Sequence, residues 1–480
     1  MATKKDLVEA YSFSRRRLVT AFLSGAPGGR EVEPSRPGRT VVGGLALAVL
    51  LIAGAAIASV LASRTPEDWN KIGLVATRGD QPATYLILEE AEHPTLIPVI
   101  NITSAQLILG ADVKATEVDQ EVVDEQTPGI PIGILGAPQT LPKSRQFVES
   151  GWTACTDDGV GIAVDVATSE KVERTTTDAV VVRSADQDWL IATSSSREAD
   201  DQRAYRYPIS EAESDNLLVD YGLGPKAEAI EVPAEWLSLF PEGGEIGAAG
   251  FGVPLGQPAQ DPPVAGARVG DYVVGSGGGG AMVVDGGFEA LDPFALAVLR
   301  NLTTGPDGPR PLDAPVPTSY LGSTYADSHW PDTELAPLNS QPCVQLDVEH
   351  GRAPRVWLAG SPSGSAAAPE QDADDPIPED QRRVTIERGH GAFVLSGTWD
   401  EAQSDQPYVI DPLGKAYPLV GGPITLQKLD YDLDDAPLVP DEWVGLFGDG
   451  VALSTSAALC PPASEPGAPL TSENCQDLPS

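Results

Sequence analysis

The chain has 480 residues, with 70 acidic side chains against 31 basic ones, a formal net charge of -39, 49 glycines, 44 prolines and only 4 cysteines. Such acidity excludes nucleic acid or an anionic lipid surface as the partner of most of the chain, since both require a basic face. A hydrophobic content of 41% excludes disorder throughout, and four cysteines are too few for a disulfide scaffold. The Gly and Pro load predicts many short elements joined by turns, in about three domains.

Residues 1–39 carry eight basic and four acidic side chains, +4, whereas the remainder carries 23 basic and 66 acidic, -43. Within the leader, Asp6 to Ser24 reads as an amphipathic helix with Leu7, Tyr11, Leu18 and Phe22 at helical spacing beside the cluster Arg15, Arg16 and Arg17. The helix has two possible seats, the inner leaflet or a cytosolic partner. Gly25 to Gly38 is a Gly/Pro-rich flexible linker. Thr40 to Ala62 then runs 23 residues without a charge, about 35 Å as a helix, enough to cross a hydrocarbon core of about 30 Å.

A cleaved signal peptide is the alternative, with Val60-Leu61-Ala62 as its small-residue site. The apolar run and the charged leader are both too long for it. A signal anchor fits better, and the basic leader places residues 1–39 in the cytosol and 63–480 outside. Gly43, Gly44, Gly54 and Ala58 would permit close helix packing in the membrane.

The outer segment is internally duplicated. Val232-Pro-Ala-Glu-Trp-Leu-Ser-Leu-Phe240 returns as Val439-Pro-Asp-Glu-Trp-Val-Gly-Leu-Phe447, six identities in nine at an offset of 207. In the same order, Thr84-Tyr85-Leu86-Ile87 answers Asp271-Tyr272-Val273-Val274, Cys155 answers Cys343 at 188, and Tyr207-Pro208-Ile209 answers Tyr417-Pro418-Leu419 at 210. An insertion of about 22 residues explains the jump, and Ala359 to Asp380, with no Leu, Val, Phe or Trp to bury, is the candidate.

Within each half a shorter pattern recurs, a β-rich run, a turn, a second β-rich run and an apolar helical segment, at Tyr85 to Gly110, Trp189 to Gly222, Tyr272 to Leu299, and Tyr408 to Leu429. Asp411 to Gly414 has the composition of a hairpin turn. Such units are too small for separate large cores. The expected fold is therefore a single N-terminal transmembrane helix plus a large α+β extracytoplasmic region, elongated and pseudo-two-fold, with the four units packed on a shared sheet.

The expected layout is a cytosolic helix and linker at 1–39, a span at 40–62, a juxtamembrane segment at 63–83 and repeat units at 84–115, 188–225, 271–305 and 406–432. A central β domain takes 116–187, 306–358 and a strand within 382–405, with connectors at 226–270 and 433–480 and a disordered acidic insertion at 359–381.

Four cysteines allow three connectivities, or four buried free thiols. Equivalent positions can meet on a pseudo-two-fold axis, which pairs Cys155 with Cys343 and leaves Cys460 for Cys475.

The search for chemistry is mostly negative. Gly275-Ser-Gly-Gly-Gly-Gly280 is followed by Ala281-Met282 and lacks the lysine of a phosphate cradle; flanking apolar strands make it a hairpin tip. His93, His329, His350 and His390 are scattered, without zinc spacing. Asp430-Tyr-Asp432-Leu-Asp434-Asp435, with Asp441 at the twelfth position, lacks the glycine and bidentate Glu of a calcium loop and reads as a solvated acidic loop. Gly360-Ser361-Pro362-Ser363-Gly364 puts proline where a nucleophile would stand. No catalytic, cofactor-binding or metal-ligating residue is assigned, and the residues alone describe a membrane-anchored interaction protein.

Three stretches resemble the EccB family, a core component of the actinobacterial type VII (ESX) secretion machinery. They are Tyr11-Ser-Phe-Ser-Arg-Arg-Arg-Leu before a single span, Pro98-Val-Ile-Asn-Ile-Thr-Ser-Ala-Gln-Leu-Ile-Leu-Gly110, and Gly129-Ile-Pro-Ile-Gly-Ile-Leu-Gly-Ala-Pro138 leading to Trp152-Thr-Ala-Cys155. The repeat ending Tyr417-Pro-Leu is similar to the family's repeat units. The resemblance implies a bitopic plasma-membrane protein with four repeat domains around a central β domain, propeller-like. It also implies assembly with EccC, EccD and EccE into an inner-membrane complex that exports folded helical-hairpin substrates. Family members are often described as ATPases; with no phosphate cradle here, ATP hydrolysis is the alternative reading and no catalytic residue is carried over. The leading reading is a structural subunit whose outer body oligomerises or lines the exit side. A third is an envelope module that binds peptidoglycan or another glycan.

Overall fold

The computed structural model describes residues 3–24, 37–61, 65–78, 82–169, 171–194, 202–210, 215–275, 277–302, 308–315, 325, 329–331, 335–361, 377–399, 406–463, 465 and 475–476. The chain divides into two units, Met1–Pro66 and Glu67–Ser480.

In the first unit, helix α1 (Lys4–Ser24) starts where the Thr3 amide and hydroxyl both donate to Asp6 Oδ2, at 2.9 and 2.7 Å. Those bonds hold the Asp6 carboxyl below its usual range. Helix α2 spans Pro37–Leu61, 25 residues. It begins three residues before the expected boundary at Thr40, because proline's fixed φ and missing N–H suit the first helical position. The side chains described on α2 run from Val41 to Ala56, and among the described residues no helix is long and apolar enough to cross a membrane. Most of the expected linker, residues 25–36, lies outside the described residues.

The second unit is built around a six-stranded sheet. Its middle is the antiparallel pair Trp152–Cys155 and Pro342–Asp347, registered so that Cys155 faces Cys343. Exchanging each residue with its counterpart 188 positions along leaves this register unchanged, and Cys155–Cys343 is the pair that maps onto itself. Outside them lie Ile162–Val166 and Arg355–Gly360, which set Ala163 beside Cys155 and Ala359 beside Cys343. The strand trailing each hairpin closes the other hairpin's edge. Arg382–Ile386 pairs parallel with Ile162–Val166, and Glu173–Arg174 pairs antiparallel with Arg355–Gly360. Alternation sends Trp152, Ala154, Ile162, Val164, Val344, Leu346, Val356 and Leu358 to one face, where they form the central core.

Four three-stranded antiparallel meanders, each followed by a helix, surround this sheet. The first is Gly73–Arg78, Thr84–Ile87 and Thr95–Pro98 with helix Ile102–Leu109. The second is Asp178–Ser184, Gln187–Thr193 and Ala204–Pro208 with Asp215–Asp220. The third is Tyr272–Val274, Gly280–Val284 and Gly287–Leu291 with Pro293–Asn301. The fourth is Ala392–Gly397, Pro407–Ile410 and Lys415–Pro418 with Pro423–Leu429.

These sheets overrun the boundaries read from the sequence. A two-stranded hairpin is marginal alone, so three of the four recruit a strand from the segment before them; Gly73–Arg78 comes from the expected juxtamembrane stretch, and Asp178–Ser184 and Ala392–Gly397 from the expected central domain, whereas the third meander lies wholly within its expected unit. The pairing of Thr84–Ile87 with Asp271–Val274 is also corrected. Tyr272–Val274 is the first strand of its meander and Thr84–Ile87 the second of its own, since a tyrosine followed by two aliphatics marks a strand but not which strand. At the insertion, Ala359 and Gly360 complete a strand and Ile377 is buried, while residues 362–376 lie outside the described ones.

Packing crosses between the halves. Leu74, Leu86, Ile97, Leu107 and Ile108 of the first meander share a core with Phe393, Val409, Tyr417 and Leu426 of the fourth. Leu190, Tyr205 and Tyr207 of the second share one with Met282, Phe294 and Leu299 of the third. In the fourth turn Asp411 accepts from the Leu413 and Lys415 amides at 2.9 Å and from the Tyr417 hydroxyl at 3.3 Å. Burial and that carboxylate push the Tyr417 phenol up to about 12, so it remains a donor.

Buried Asp271, just before the third meander, accepts from the Arg310 guanidinium at 2.8 and 3.2 Å and from the Arg268 and Arg310 amides at 2.9 and 3.1 Å. Burial favours its neutral form, but the Arg310 side chain and the two amides outweigh that and hold the carboxyl below its usual range.

Replacing Cys155 and Cys343 by alanine removes a cross-link with a sequence separation of 188, against 15 for Cys460–Cys475. Chain entropy values the two at about 5 and about 3 kcal/mol, so urea unfolding midpoints of the two double variants should fall in that order. For Asp271, a depressed folded pKa means stabilisation present above the unfolded value of about 3.9 and lost as pH falls below it. Asp271→Asn should destabilise by roughly 1–3 kcal/mol at neutral pH, and thermal melts should show the gap to the parent closing below about pH 4.

Candidate functional site

The duplicated Val-Pro-x-Glu-Trp segments are where the halves interlock. In each, a short strand adds parallel to a meander edge, Ile230–Glu231 on Asp178–Ser184 and Leu438–Pro440 on Ala392–Gly397. A single helical turn then follows, Ala234–Leu237 or Asp441–Val444. The turn drives Trp236 and Trp443 fully into the central core. Trp236 Nε1 donates to the Ala154 carbonyl at 2.9 Å, and Trp443 Nε1 to the Leu239 carbonyl at 3.3 Å, so the second copy bonds directly to the first. Phe447 meets Trp152 edge-on at 5.4 Å.

The runs 98–110 and 129–138 pack against one another. Asn101 caps helix Ile102–Leu109, accepting from the Ser104 amide at 2.8 Å and hydroxyl at 2.7 Å, and its own amide donates to the Ile134 carbonyl at 2.9 Å. The Ile134 amide returns a bond to Ser104 Oγ at 3.0 Å. Gly133 sits at φ 129°, and a Cβ there would lie 2.7 Å from Ile100 Cγ1. Its amide donates to the Cys460 carbonyl at 3.0 Å. The cap thereby ties the start of this helix to the 129–138 run.

Two open clefts lie on the surface. One of about 510 Å³ is lined by Ile162, Ser184, Glu231, Glu235, Glu379 and Asp380 among others. Arg382 pairs with Glu235 at its rim, and Arg183 lies 3.7 Å from Glu231. The other, about 400 Å³, is lined by Pro423, Leu426, Gln427, Asp430, Tyr431, Asp432 and Leu433. Ile424 and Leu433 are exposed beside it. Tyr431 donates to the Pro142 carbonyl, and burial raises its phenol far above the usual range. Neither lining set places a nucleophile against a base. Among the described residues no three His, Cys, Asp or Glu side chains converge as a metal ion would require.

The residues singled out from the sequence are dispersed. Gly275 to Gly280 join strands Tyr272–Val274 and Gly280–Val284 as a hairpin tip, with Ser276 outside the described residues. His93 and His350 are exposed, His329 stacks on Tyr205 at 5.0 Å, and His390 lies 3.9 Å from Glu387. Asp430 ends helix Pro423–Leu429 in the left-handed region at φ 58°, Asp432 caps a short 3-10 turn, and Asp441 accepts from Ser396. Ser361 follows a central strand, and residues 362–364 lie outside the described ones. The disulfides Cys155–Cys343 and Cys460–Cys475 are both formed. Asp271–Arg310, and Trp357 with the guanidinium carbons of Arg174 and Arg355 each 6.0 Å from its ring, carry no sequence signal. The partners stand 39, 183 and two residues apart and meet only through the sheets.

The chain is 26% identical over 505 residues to the ESX-3 secretion system ATPase EccB3 of Mycobacterium tuberculosis, covering 92% of this chain and 87% of that one. Identity is also 26%, over 499 residues, with the ESX-1 secretion system ATPase EccB1 of the same species, covering 95% and 94%. In fold it is similar to a chain of an intact ESX-5 inner membrane complex (TM-score 0.58, 22% identity, 96% and 95% covered). It is likewise similar to the EccB3 dimer from the ESX-3 core complex (TM-score 0.56, 21% identity, 80% and 99% covered). The family model described as type VII secretion system ESX-1, transport TM domain B (EccB) matches residues 1–463, and the chain belongs to that family.

Proposed function

We propose that this chain is a structural, membrane-anchored subunit of a type VII (ESX) protein secretion complex. The observation that carries the reading is the family match over residues 1–463, which runs through both N-terminal helices and the acidic body as far as residue 463. In this reading α2 is a single span, the +4 leader is cytosolic and the -43 remainder is extracytoplasmic. Its neighbours are EccC, EccD and EccE, and the outer body self-associates or lines the exit side. The comparison with a dimer in a related core complex supports self-association.

The four meander-plus-helix units are read as repeats about a pseudo-two-fold axis through Cys155–Cys343, in a propeller-like arrangement around the six-stranded sheet. Their supports are the common strand order and the matching cross-half cores.

Removing residues 1–62 from the chain in its host should abolish co-purification with the other membrane subunits; unchanged recovery overturns the anchoring role. ATP hydrolysis is the second reading, favoured by the names of the two relatives. The structural reading predicts that ATP turnover by purified full-length chain separates from the protein peak over successive columns. Turnover that follows the peak and is changed by substitutions in this chain would establish the enzyme instead.

A further inference from the structure

We propose that α1 docks lengthwise on an anionic phospholipid surface, with Leu7, Tyr11, Leu18 and Phe22 in the interface. This rests on the reading of α2 as a span. At about 100° per residue these four side chains fall within about 60° of arc. They are 69, 74, 68 and 92% exposed, so the first unit itself covers none of them. Arg15 and Arg17 flank this stripe on its two sides, where their stems lie along the apolar face and their heads reach lipid phosphate.

The choice of lipid follows from charge. Lys4, Lys5 and Arg15 to Arg17 against Asp6 and Glu9 make α1 +3 within a chain of -39, and an anionic bilayer attracts each such base near its surface. The twelve residues between Ser24 and Pro37 cannot separate α1 from α2 by more than about 45 Å. A span in α2 therefore holds α1 within reach of the bilayer, and one weak interfacial helix suffices when a second anchor is present.

Among the described residues there are no free cysteines, so one introduced thiol can be labelled. Phe13, about 160° around the helix from Tyr11, supplies the opposite face. Full-length chain carrying Phe22→Cys or Phe13→Cys with an environment-sensitive dye is reconstituted in phosphatidylcholine vesicles with or without about 30 mol% phosphatidylglycerol. A lipid-borne quencher reports contact, and alkaline extraction separately reports the span.

Docking requires quenching at Phe22→Cys and not at Phe13→Cys, only on the anionic vesicles. It also requires quenching to weaken by at least roughly tenfold when Arg15, Arg16 and Arg17 are all changed to Gln. A Phe22→Cys label that stays in water on anionic vesicles, in chain that resists alkali, overturns the proposal, leaves the span standing and points to a protein seat for the helix. Equal quenching at both positions also overturns it. Selective quenching in chain that alkali strips keeps the docking and removes the span.

Discussion

Antiparallel pairing of Trp152–Cys155 with Pro342–Asp347 brings together segments 188 residues apart, and most of the acidic body is arranged by it. Closing so long a loop is entropically expensive. The contact is secured on the core face by burial of Trp152, Val344 and Leu346 and on the other by the Cys155–Cys343 bond, packed with Val172 and Ala359. The register is what matters. A slip of one residue would turn the core side chains outward and part the two cysteines.

Given that register, the rest of the body is cross-braced. Each half's trailing strand closes the other half's sheet, and the first meander shares its core with the fourth as the second does with the third. Trp443 reaches across to the Leu239 carbonyl of the first copy. Neither half has a core complete by itself, so the two must order together. A body of this kind suits a scaffold, since its contact surfaces are held at set separations by shared cores rather than by linkers.

Much of this organisation is legible in the residues. The Val-Pro-x-Glu-Trp pair announces the duplication because a buried tryptophan after a proline-led turn tolerates few substitutes, and Asp411 to Gly414 announces its turn because those side chains bond their own backbone. The first strands of the first, second and fourth meanders lie outside the units that the sequence pattern marks. Gly73–Arg78 and Asp178–Ser184 owe their positions to neighbours already laid down, and their alternation is equally compatible with the central sheet. The clefts were illegible for a related reason, as Ile162, Ser184, Glu235 and Asp380 come from four separate elements.

The asymmetry of the chain is written in its residues: a basic leader with an apolar stripe, an uncharged run of 23 residues, and an acidic duplicated remainder with equivalent cysteines. These are properties of composition and period, which survive without coordinates. The correspondence of strands between the copies, the pairing of meanders across the halves and the meeting of Asp271 with Arg310 emerge from the folded chain alone. Those outcomes depend on register and on contacts between distant segments, and a local pattern of apolar and polar residues leaves both undetermined.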